Sequence, residues 1–514
     1  MPPMDSRDVF RNLSPLDHRY WQTNAELFER LADHLSESAS VTSELRVEAA
    51  LLEELVLHLQ PGGSTSGDAT AAVAGPGTAG GDGAAASAAT NAAEPAIPSA
   101  WTEAIRALPE RVTAAEVYAE EETTRHHVRA LVNVIQRHLP EEIRHLVHLG
   151  ATSVDVLDTA SALRYRGVVR EVLLPLLADL QEELIRLADT HAETVSIGRT
   201  HGQHAVPITV GFALAEYVSR LGQSLGEIEL RAGALVGKLA GAVGAYNATS
   251  VLHADPEALE RAVLGRLGLE PGEHATQIVS PEPMLRLLLE LNTAFGVIAN
   301  LADDLRHLQR SELAEMAEYF GEGQVGSSTM PHKRNPWNAE HVKSLWKAFA
   351  PRSMSWFMDQ ISEHQRDLTN SASQRFVAEF VAGLVAAAER MRTILTRLHV
   401  DTEGIARNLD AGVERVWAEP LYILLAAAGR SDAHERLRQL TLSADEEGVG
   451  ILEMARREPE LWATVTGTYA RLTGGDAEAF FADPARYTGR AAERARSICA
   501  THRQALAALR ARRS

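Results

Sequence analysis

Residues Val154–His191 read VDVLDTASALRYRGVVREVLLPLLADLQEELIRLADTH, with apolar side chains at positions i, i+3, i+4 and i+7 along the stretch. This spacing places the apolar side chains on one face of an α-helix. Later stretches share the pattern, and a helix of about thirty residues extends roughly 45 Å. Helices this long cannot bury their apolar faces in a compact globule, so the sequence predicts an all-α fold organised around an elongated bundle. The further stretches are residues 209–239, 284–319, 337–368 and 372–398.

Shorter helical patterns flank the predicted bundle. They cover residues 24–59, resume at Trp101, and continue after residue 400 into a basic stretch at 491–513, for which we expect a solvated helix. Residues 61–98 differ, because they consist mainly of Gly, Ala, Ser and Thr and contain no aromatic residue. Such a segment can bury little apolar surface. We predict a disordered surface insertion there, with a frayed alanine-rich helix as the alternative.

Composition and charge exclude several classes of protein. The net charge of −19 disfavours nonspecific attraction to nucleic acid or acidic membranes. The single cysteine, Cys499, excludes an internal disulfide and suits a reducing compartment. Residues 1–11 lack the apolar segment of a leader peptide, and apolar runs such as 421–429 are too short to cross a bilayer. We therefore expect a cytoplasmic protein without nucleic-acid or membrane partners.

The stretch GSSTMPHKRNP, Gly326–Pro336, has the composition of a mobile loop before a helix. Asn335 and Pro336 are typical of an N-cap and first helical residue, which would direct free backbone N–H groups back toward the loop. Lys333 adds a positive charge. A serine that closes over an anion bound by these groups is one interpretation, and an ordinary Gly/Ser loop before a capped helix is the other.

Two more polar clusters precede long helical patterns. Thr152-Ser153 stands before the first, where Ser153 alone could be an N-cap, with Asp155 and Asp158 in the first turns. GRTHGQH, residues 198–204, forms a polar turn before the second. His201 and His204 have no third metal ligand in a recognisable pattern, so an anion pocket is the preferred interpretation. Its donors would be Arg199, Thr200 and Gln203, with His201 exchanging a proton near neutral pH.

Together, Thr152-Ser153, residues 198–203 and Gly326–Pro336 resemble the three separated signature regions of the fumarase/aspartase superfamily. Within it, the sequence most resembles the adenylosuccinate lyase family, over about residues 12–430 without the insertion. Two positions depart from the family pattern: His18 replaces a glycine, and His127 replaces an aspartate. The further matching residues are Arg19 and Tyr20 in SPLDHRY, Arg125-His126, residues 241–244, Gln277 in 276–278, and Arg366, Ser371 and Arg375 in 365–375.

The resemblance implies three domains: an N-terminal helical domain at 1–150, a central long-helix bundle at 151–399 and a small C-terminal helical domain at 400–514. It implies a homotetramer around a twenty-helix core, in which three subunits contribute the three signature regions of each active site. Ser327, His201 and Thr152 would then meet only after assembly.

The resemblance also implies a lyase that eliminates fumarate from an N-substituted succinate without a metal or other cofactor. Ser327 corresponds to the general base, while we assign the general acid to His201, with support from His126. Lys333, Asn335 and the loop amides would stabilise negative charge on the substrate carboxylate. A serine becomes a base only if desolvation and nearby positive charge lower its pKa. The residues expected to bind substrate are Arg19, Tyr20, Arg125, Thr152, Ser153, Arg199, Thr200, Gln203, Gln277, Ser328, Met330, Arg366, Ser371 and Arg375.

The leaving group is less constrained than the reaction. The phosphate-binding pattern favours adenylosuccinate, which would give AMP and fumarate in purine synthesis, and its relative with an aminoimidazole ring. His127 leaves open a specialised enzyme that cleaves a smaller compound, such as nitrosuccinate to fumarate and nitrite. A catalytically silent helical scaffold is the alternative outside enzymes, and the retained Ser327, Lys333 and His201 argue against it.

Overall fold

A computed structural model describes residues 12–59, 98–321, 323 and 326–512. Its regular structure is almost entirely helical, which confirms the all-α prediction. The predicted insertion at 61–98 lies, apart from Pro98, outside the described residues. The helices are α1 (Arg19–Thr23), α2 (Ala25–Leu35), α3 (Glu37–Leu59), α4 (Ser99–Arg106), α5 (Leu108–Arg111), α6 (Ala114–Thr124), α7 (His127–His138), α8 (Ser153–Val168), α9 (Leu174–Thr190), α10 (Val210–Gly233), α11 (Thr249–Leu252), α12 (Pro256–Arg266), α13 (Glu282–Leu308), α14 (Trp337–Phe349), α15 (Ser353–Met358), α16 (Ser371–Arg375), α17 (Val377–Thr396), α18 (Thr402–Val416), α19 (Ala418–Ala427), α20 (Ala433–Glu447), α21 (Ile451–Arg456), α22 (Pro459–Thr473), α23 (Ala477–Phe481) and α24 (Ala491–Ala511).

Short strands, which the sequence patterns did not predict, join some of these helices. The strands are β1 (Val195–Thr200), β2 (Gln203–Thr209), β3 (Val236–Gly237), β4 (Glu270–Pro271), β5 (Met316–Ala317) and β6 (His399–Val400). An antiparallel hairpin is formed by β1 and β2, and it contains the polar stretch expected to be a turn. Two smaller pairings follow, one parallel between β3 and β4 and one antiparallel between β5 and β6.

The long helical patterns are real, but their ends differ from the predictions. The first is confirmed, because a single π-turn at Val169–Leu173 joins α8 to α9. The second and third end earlier, at Gly233 and Leu308. The fourth is wrong after Phe349, since Pro351 lies in a 3₁₀ turn that interrupts the helix and α15 stops at Met358. The fifth is divided at residue 376.

The chain divides into two compact units. The first unit comprises Met1–Leu173, Ile228–Leu289 and Arg352–Ala382, and the second comprises Leu174–Glu227, Glu290–Pro351 and Gly383–Ser514. The three-domain division stays a prediction.

Helix α3 lies in the core of the first unit, where its apolar residues pack with α4, α5, α7 and α8. It also carries three buried glutamates, each of which binds a basic side chain from another segment. Glu44 binds His127, Glu48 binds His148 at 2.6 Å, and Glu53 binds both Arg106 and Arg266. Because a buried carboxylate is costly without a partner, these ion pairs fix α3 against the surrounding segments.

The second unit contains a C-terminal aromatic cluster in which Trp417 packs edge-on against Phe480 and Phe481. Helix α24, expected to be a solvated helix, packs against α9 instead. Cys499 is buried in that packing, and Arg503 binds Asp189 at 3.0 Å. Two basic residues of α24, Arg503 and Arg510, therefore pair with acidic residues of α9.

Helix α13 is long and apolar enough to span a membrane by length and composition alone. This corrects the expectation that every apolar run is too short. Just over half of its most apolar window, 56%, is buried inside the protein, as is usual for a core helix.

Candidate active site

The turn between β1 and β2 presents the histidine motif. Thr200 pairs with Gln203, so His201 and Gly202 are the two central residues of the hairpin turn. Both have positive φ, 53° at His201 and 73° at Gly202, which is the geometry of a type I′ turn and is easily adopted by glycine. All four residues are exposed. Local backbone geometry thus fixes the position of His201 at the tip of the hairpin.

Arg199, two residues before His201, is bound within the protein. Its guanidinium donates to both oxygens of Glu315, at 3.0 Å and 2.5 Å, and Asn408 donates to the same carboxylate at 2.8 Å. Glu315 is only 4% exposed, so this is a buried bidentate ion pair. The structure therefore gives Arg199 a supporting role, and its contact with substrate stays a prediction.

The Ser327 hydroxyl lies over two backbone amides of its own loop. Its Oγ accepts hydrogen bonds from the N–H groups of Met330 at 3.1 Å and Thr329 at 3.4 Å. Hydrogen bonds donated to an oxygen stabilise its negatively charged form. The loop thus provides part of the environment in which Ser327 could lose its proton.

The ends of this loop are joined to each other. Asn335 donates its side-chain amide to the carbonyl of Gly326 at 3.0 Å. At Gly326 the backbone passes so close to the Lys333 carbonyl that a Cβ would lie 2.1 Å from that oxygen. Glycine is therefore required at 326. Three further predicted residues are exposed on the loop, namely Ser328, Met330 and Lys333.

The helix after the loop does not begin as predicted. Its first residue is Trp337 and its N-cap is Pro336. Glu318 accepts the N–H groups of Asn338 and Ala339 at 3.3 Å and 2.7 Å, so these helix amides are not directed to the loop. The prediction that Asn335 and Pro336 are N-cap and N1 is wrong. Burial raises the pKa of Glu318, and the helix amides oppose that increase.

In the first unit, Arg125 and His126 form the junction between α6 and α7. Arg125 ends α6 in the left-handed conformation, with φ 55°. His126 is the N-cap of α7, and its Nδ1 accepts the N–H of Arg129 at 3.2 Å. This contact makes Nε2 the nitrogen that can exchange a proton with a ligand. Both residues are exposed.

His127 is half-buried beside this junction and binds two glutamates. Its Nε2 lies 2.7 Å from Glu44 and its Nδ1 lies 3.3 Å from Glu121. The hydrogen bond with Glu44 is the main cause that raises the pKa of His127 to about 9, against the opposing effect of burial. The ring is therefore positively charged at neutral pH, where the family pattern has a negative aspartate.

Thr152, rather than Ser153, is the N-cap of α8. Its backbone N–H donates to Asp155 at 2.8 Å. The fully buried Asp155 also binds the ammonium of Lys238 and accepts the N–H of Gly241. One buried ion pair thus fixes both the Thr152-Ser153 segment and the glycine-rich loop that begins at Gly241.

The loop that carries Gln277 is bound to the segment that carries Arg366. The Gln277 N–H donates to the carbonyl of Gln365 at 3.1 Å. Arg366 donates to Ser362 at 2.5 Å and to the Asp359 carbonyl at 3.2 Å. These contacts bring together two segments that are almost ninety positions apart in the sequence.

A cavity of about 660 Å³ lies within the first unit and is lined by Ser371, Arg375, His127 and Asp158. Its apolar lining includes Leu157, Leu235, Ile278, Met284 and Trp356. Burial raises the pKa of Asp158 to about 6, although the Val279 N–H, at 2.9 Å, opposes the shift. The predicted phosphate-binding residues Ser371 and Arg375 therefore share a cavity with His127 and Asp158, two groups whose pKa values are raised.

The remaining predicted residues, Arg19 and Tyr20, open helix α1 in the first unit, directly after a 3₁₀ turn capped by Ser14. Arg19 is exposed and Tyr20 is half-buried.

The predicted site residues fall into two groups. Arg19, Tyr20, Arg125, His126, Thr152, Ser153, Gln277, Arg366, Ser371 and Arg375 belong to the first unit; Arg199, Thr200, His201, Gln203, Ser327, Ser328, Met330, Lys333 and Asn335 belong to the second.

Sequence reasoning missed the acidic partners Glu44, Glu315 and Glu318. The only signal at Glu44 was a charged residue within the apolar face of α3, and its partner His127 is 83 positions away. Within the described residues, no cluster of three or more His, Cys, Asp or Glu could hold a metal ion. That the reaction needs no metal or cofactor stays a prediction.

Comparisons with known proteins give the family of the chain. A family model described as lyase matches residues 78–347, and one described as adenylosuccinate lyase C-terminal matches residues 362–466. The adenylosuccinate lyase of Pyrococcus abyssi is 36% identical over 404 residues, which cover 76% of this chain and 86% of the relative. The chain belongs to the adenylosuccinate lyase family. The adenylosuccinate lyase of Bacillus subtilis is 31% identical over 345 residues, which cover 66% of this chain and 78% of that relative. The resemblance to the fumarase/aspartase superfamily is thus confirmed, and the chain is a lyase.

Solved structures agree on the fold. The 3-carboxy-cis,cis-muconate lactonizing enzyme of Pseudomonas putida matches with a TM-score of 0.73 at 24% identity, covering 96% of this chain and all of that one. A fumarate lyase from Mesorhizobium sp. matches with a TM-score of 0.71 at 21% identity, covering 93% and 97%. At this identity the likeness concerns the multi-domain helical fold alone.

Proposed function

We propose that this member of the adenylosuccinate lyase family cleaves adenylosuccinate to AMP and fumarate in cytoplasmic purine synthesis. The observation that carries the proposal is the Ser327 loop, in which the hydroxyl oxygen accepts two backbone N–H groups. Family membership supplies the reaction class, and this loop supplies a group suited to its hardest step. That step is removal of a weakly acidic proton from the carbon next to a carboxylate.

In the proposed mechanism Ser327 removes this proton, and positive groups stabilise the charge that develops on the adjacent carboxylate. Lys333 is exposed on the same loop and would provide one such group. Asn335 is joined to Gly326, so it would act mainly by keeping the loop closed. When the carbon–nitrogen bond breaks, the electron pair goes to nitrogen, and the proton that nitrogen needs comes from a general acid.

We assign this general acid to His201, which is presented at the tip of the two-residue hairpin turn. His126 would assist at the leaving nitrogen or at the phosphate through Nε2, because its Nδ1 accepts a backbone N–H. Thr152, Ser153, Thr200, Gln203 and Gln277 would bind the succinyl portion.

The cavity in the first unit favours a nucleotide over a smaller substrate. Its volume of about 660 Å³ lies in the range of pockets that bind drug-sized ligands, whereas nitrosuccinate would leave most of it empty. Ser371 and Arg375 would bind the phosphate there, with Arg19, Tyr20 and Arg366 as further contacts.

We also propose that the chain acts as a homotetramer with composite active sites. Several large apolar side chains of the first unit are exposed near the predicted phosphate-binding residues, which favours burial against another subunit. Mixing two inactive variants, Ser327→Ala and His201→Ala, would restore part of the activity if one site takes these residues from different subunits. The exposed side chains are Met354, Phe357, Met358, Ile361, Leu368 and Phe376.

Fumarate release, followed by ultraviolet absorbance, tests the proposed reaction. The full chain should release fumarate from adenylosuccinate and not from nitrosuccinate. Ser327→Ala should lower kcat by about a thousandfold, the scale of losing a general base. Thr329→Ala on the same loop is the matched control, because the Thr329 N–H that reaches Ser327 is kept. Cleavage of nitrosuccinate alone would contradict the substrate assignment, and inactivity toward both would favour the scaffold.

A further inference from the structure

Three ionisable side chains form a compact cluster on the wall of the first-unit cavity. His127 lies between Glu44 and Glu121, with the ring nitrogens 2.7 Å and 3.3 Å from the two carboxylates. The side chain of Glu44 is only 3% exposed, whereas that of Glu121 is 32% exposed. Glu44 is therefore the buried anchor of the cluster, and Glu121 is the carboxylate that a ligand can reach.

This cluster has a free hydrogen-bond acceptor for a ligand but no free donor on the His127 ring. Both nitrogens of His127 are directed at glutamates, so the ring has no donor left for a ligand. Glu121 binds His127 through Oε2, which leaves Oε1 as a second acceptor. The neighbouring Tyr118 hydroxyl donates to Glu37 at 2.7 Å. Two glutamates and one imidazolium also leave a net negative charge, so this wall accepts hydrogen bonds rather than donating them.

The same cavity contains groups of the opposite character. Ser371 and Arg375 also line it, and they offer a hydroxyl and a guanidinium suited to a phosphate. Apolar residues such as Ile278 and Leu288 complete the lining. The complementary ligand is flat or apolar in its middle, carries an anion, and has a hydroxyl or amine that can donate a hydrogen bond.

We propose that Glu121, positioned by His127, determines substrate specificity by accepting a hydrogen bond from a hydroxyl or amine of the nucleotide whose phosphate binds Ser371 and Arg375. The inference rests on the proposed function, since it takes the ligand to be a nucleotide. It assigns to Glu121 the contact with the ligand and to His127 the positioning of that carboxylate.

Calorimetric titration of the full chain with AMP tests the contact. Glu121→Gln should weaken AMP binding about tenfold, the scale of one charge-assisted hydrogen bond. Glu122→Gln, an exposed neighbour that does not line the cavity, is the matched control and should bind AMP as the unmodified chain does. Analogues of AMP that lack the 6-amino group, the 2′-hydroxyl or the 3′-hydroxyl identify the donor. One of them should bind the unmodified chain about tenfold more weakly than AMP, yet bind Glu121→Gln as AMP does.

Kinetics of His127→Gln test the positioning role. The KM for adenylosuccinate should rise several-fold while kcat changes less than twofold, a division that general unfolding would not produce. The KM of the unmodified chain should also rise above about pH 9, where the ring loses its second N–H bond, and the variant should not show this increase. Glu44, Glu121 and Tyr118 are the ionisable groups facing the ring.

The outcomes separate this inference from the proposed function. Unchanged AMP affinity in Glu121→Gln, an equal loss for every analogue, or no AMP binding by the unmodified chain would overturn the inference. Absence of fumarate release from adenylosuccinate, together with the expected binding pattern, would overturn only the proposed reaction.

Discussion

The turn that carries His201 and the junction that carries His126 present the same type of side chain, but they are built differently. His201 lies in a two-residue hairpin turn whose shape is set by Gly202 and the adjacent strand pair. His126 follows a left-handed Arg125, and its neighbour His127 is bound to Glu44, 83 positions earlier in the chain. The first histidine is therefore positioned by local backbone alone, whereas the junction that carries the second is also held by a distant buried charge.

The difference extends to the surrounding segments. In the second unit, the Ser327 loop is joined by the contact between Asn335 and Gly326, nine positions apart. In the first unit, Asp155 binds Lys238, and Glu48 binds His148, over 83 and 100 positions. Local segments should therefore tolerate changes elsewhere and fail when their backbone is altered, whereas charge-dependent segments should fail when a distant partner is removed.

The largest effect is expected at the most buried ion pair. Lys238→Met keeps the length of the side chain but leaves the Asp155 carboxylate without its cation. Since both side chains are almost completely buried, the free energy of unfolding should fall by about 3–5 kcal/mol, as measured by denaturant titration.

A double variant provides the control for this ion pair. Lys238→Met combined with Asp155→Asn removes the charge as well as its partner, so it should recover a large part of the lost stability. Equal stability of the single and double variants would mean that the charge pair does not fix this region.

The corresponding backbone test is Gly326→Ala. The new Cβ would lie 2.1 Å from the Lys333 carbonyl, so the loop must open. We expect kcat to fall about a hundredfold, as for a displaced catalytic group, with little change in the melting temperature. Gly467→Ala is the matched control, since no atom lies near the added Cβ in α22. A large loss of stability with normal kcat would assign the loop a structural role instead.

The same division, between local backbone geometry and contacts with distant partners, decides which parts of the structure the sequence predicts. The long helices and the glycine-dependent turns depend on periodicity and local conformation, which can be recognised in one sequence. The ends of α14 and α15 could not be recognised, because the apolar pattern continues past them. Glu318 accepts a backbone N–H at the start of α14, and Pro351 lies in the 3₁₀ turn that separates α14 from α15. The binding of Arg199 to Glu315 could not be predicted either, since 116 positions separate the partners.

A smaller effect is expected at the start of α14. Glu318→Ala removes the acceptor for the N–H groups of Asn338 and Ala339. Loss of this cap should cost about 1–2 kcal/mol in the free energy of unfolding. Exposed Glu340, in the first turn of the same helix, provides the control variant Glu340→Ala, which should cost less. Equal losses would show that the contact with Glu318 adds nothing beyond an acidic residue near the helix start.

The smallest effect concerns the pH dependence of the cluster around His127. Its folded-state pKa of about 9 lies above the ordinary value of 6.5, chiefly because of the hydrogen bond with Glu44. A raised pKa contributes stability that is fully present below pH 6.5 and is lost as the pH rises through 9. Burial and the nearby Glu37 carboxylate raise the pKa of Tyr118, so this neighbour stays neutral over the same range. Because the ring is partly exposed, solvent screening limits the contribution to about 1 kcal/mol.

Urea titrations at pH 6 and pH 9.5 measure this contribution. Between the two pH values, the unmodified chain should lose about 1 kcal/mol more in the free energy of unfolding than His127→Gln does. Equal pH dependence in the two proteins would mean that Glu44 and Glu121 do not hold the imidazolium, and the contrast between local and charge-dependent segments would then rest on the pairs Asp155–Lys238 and Glu48–His148.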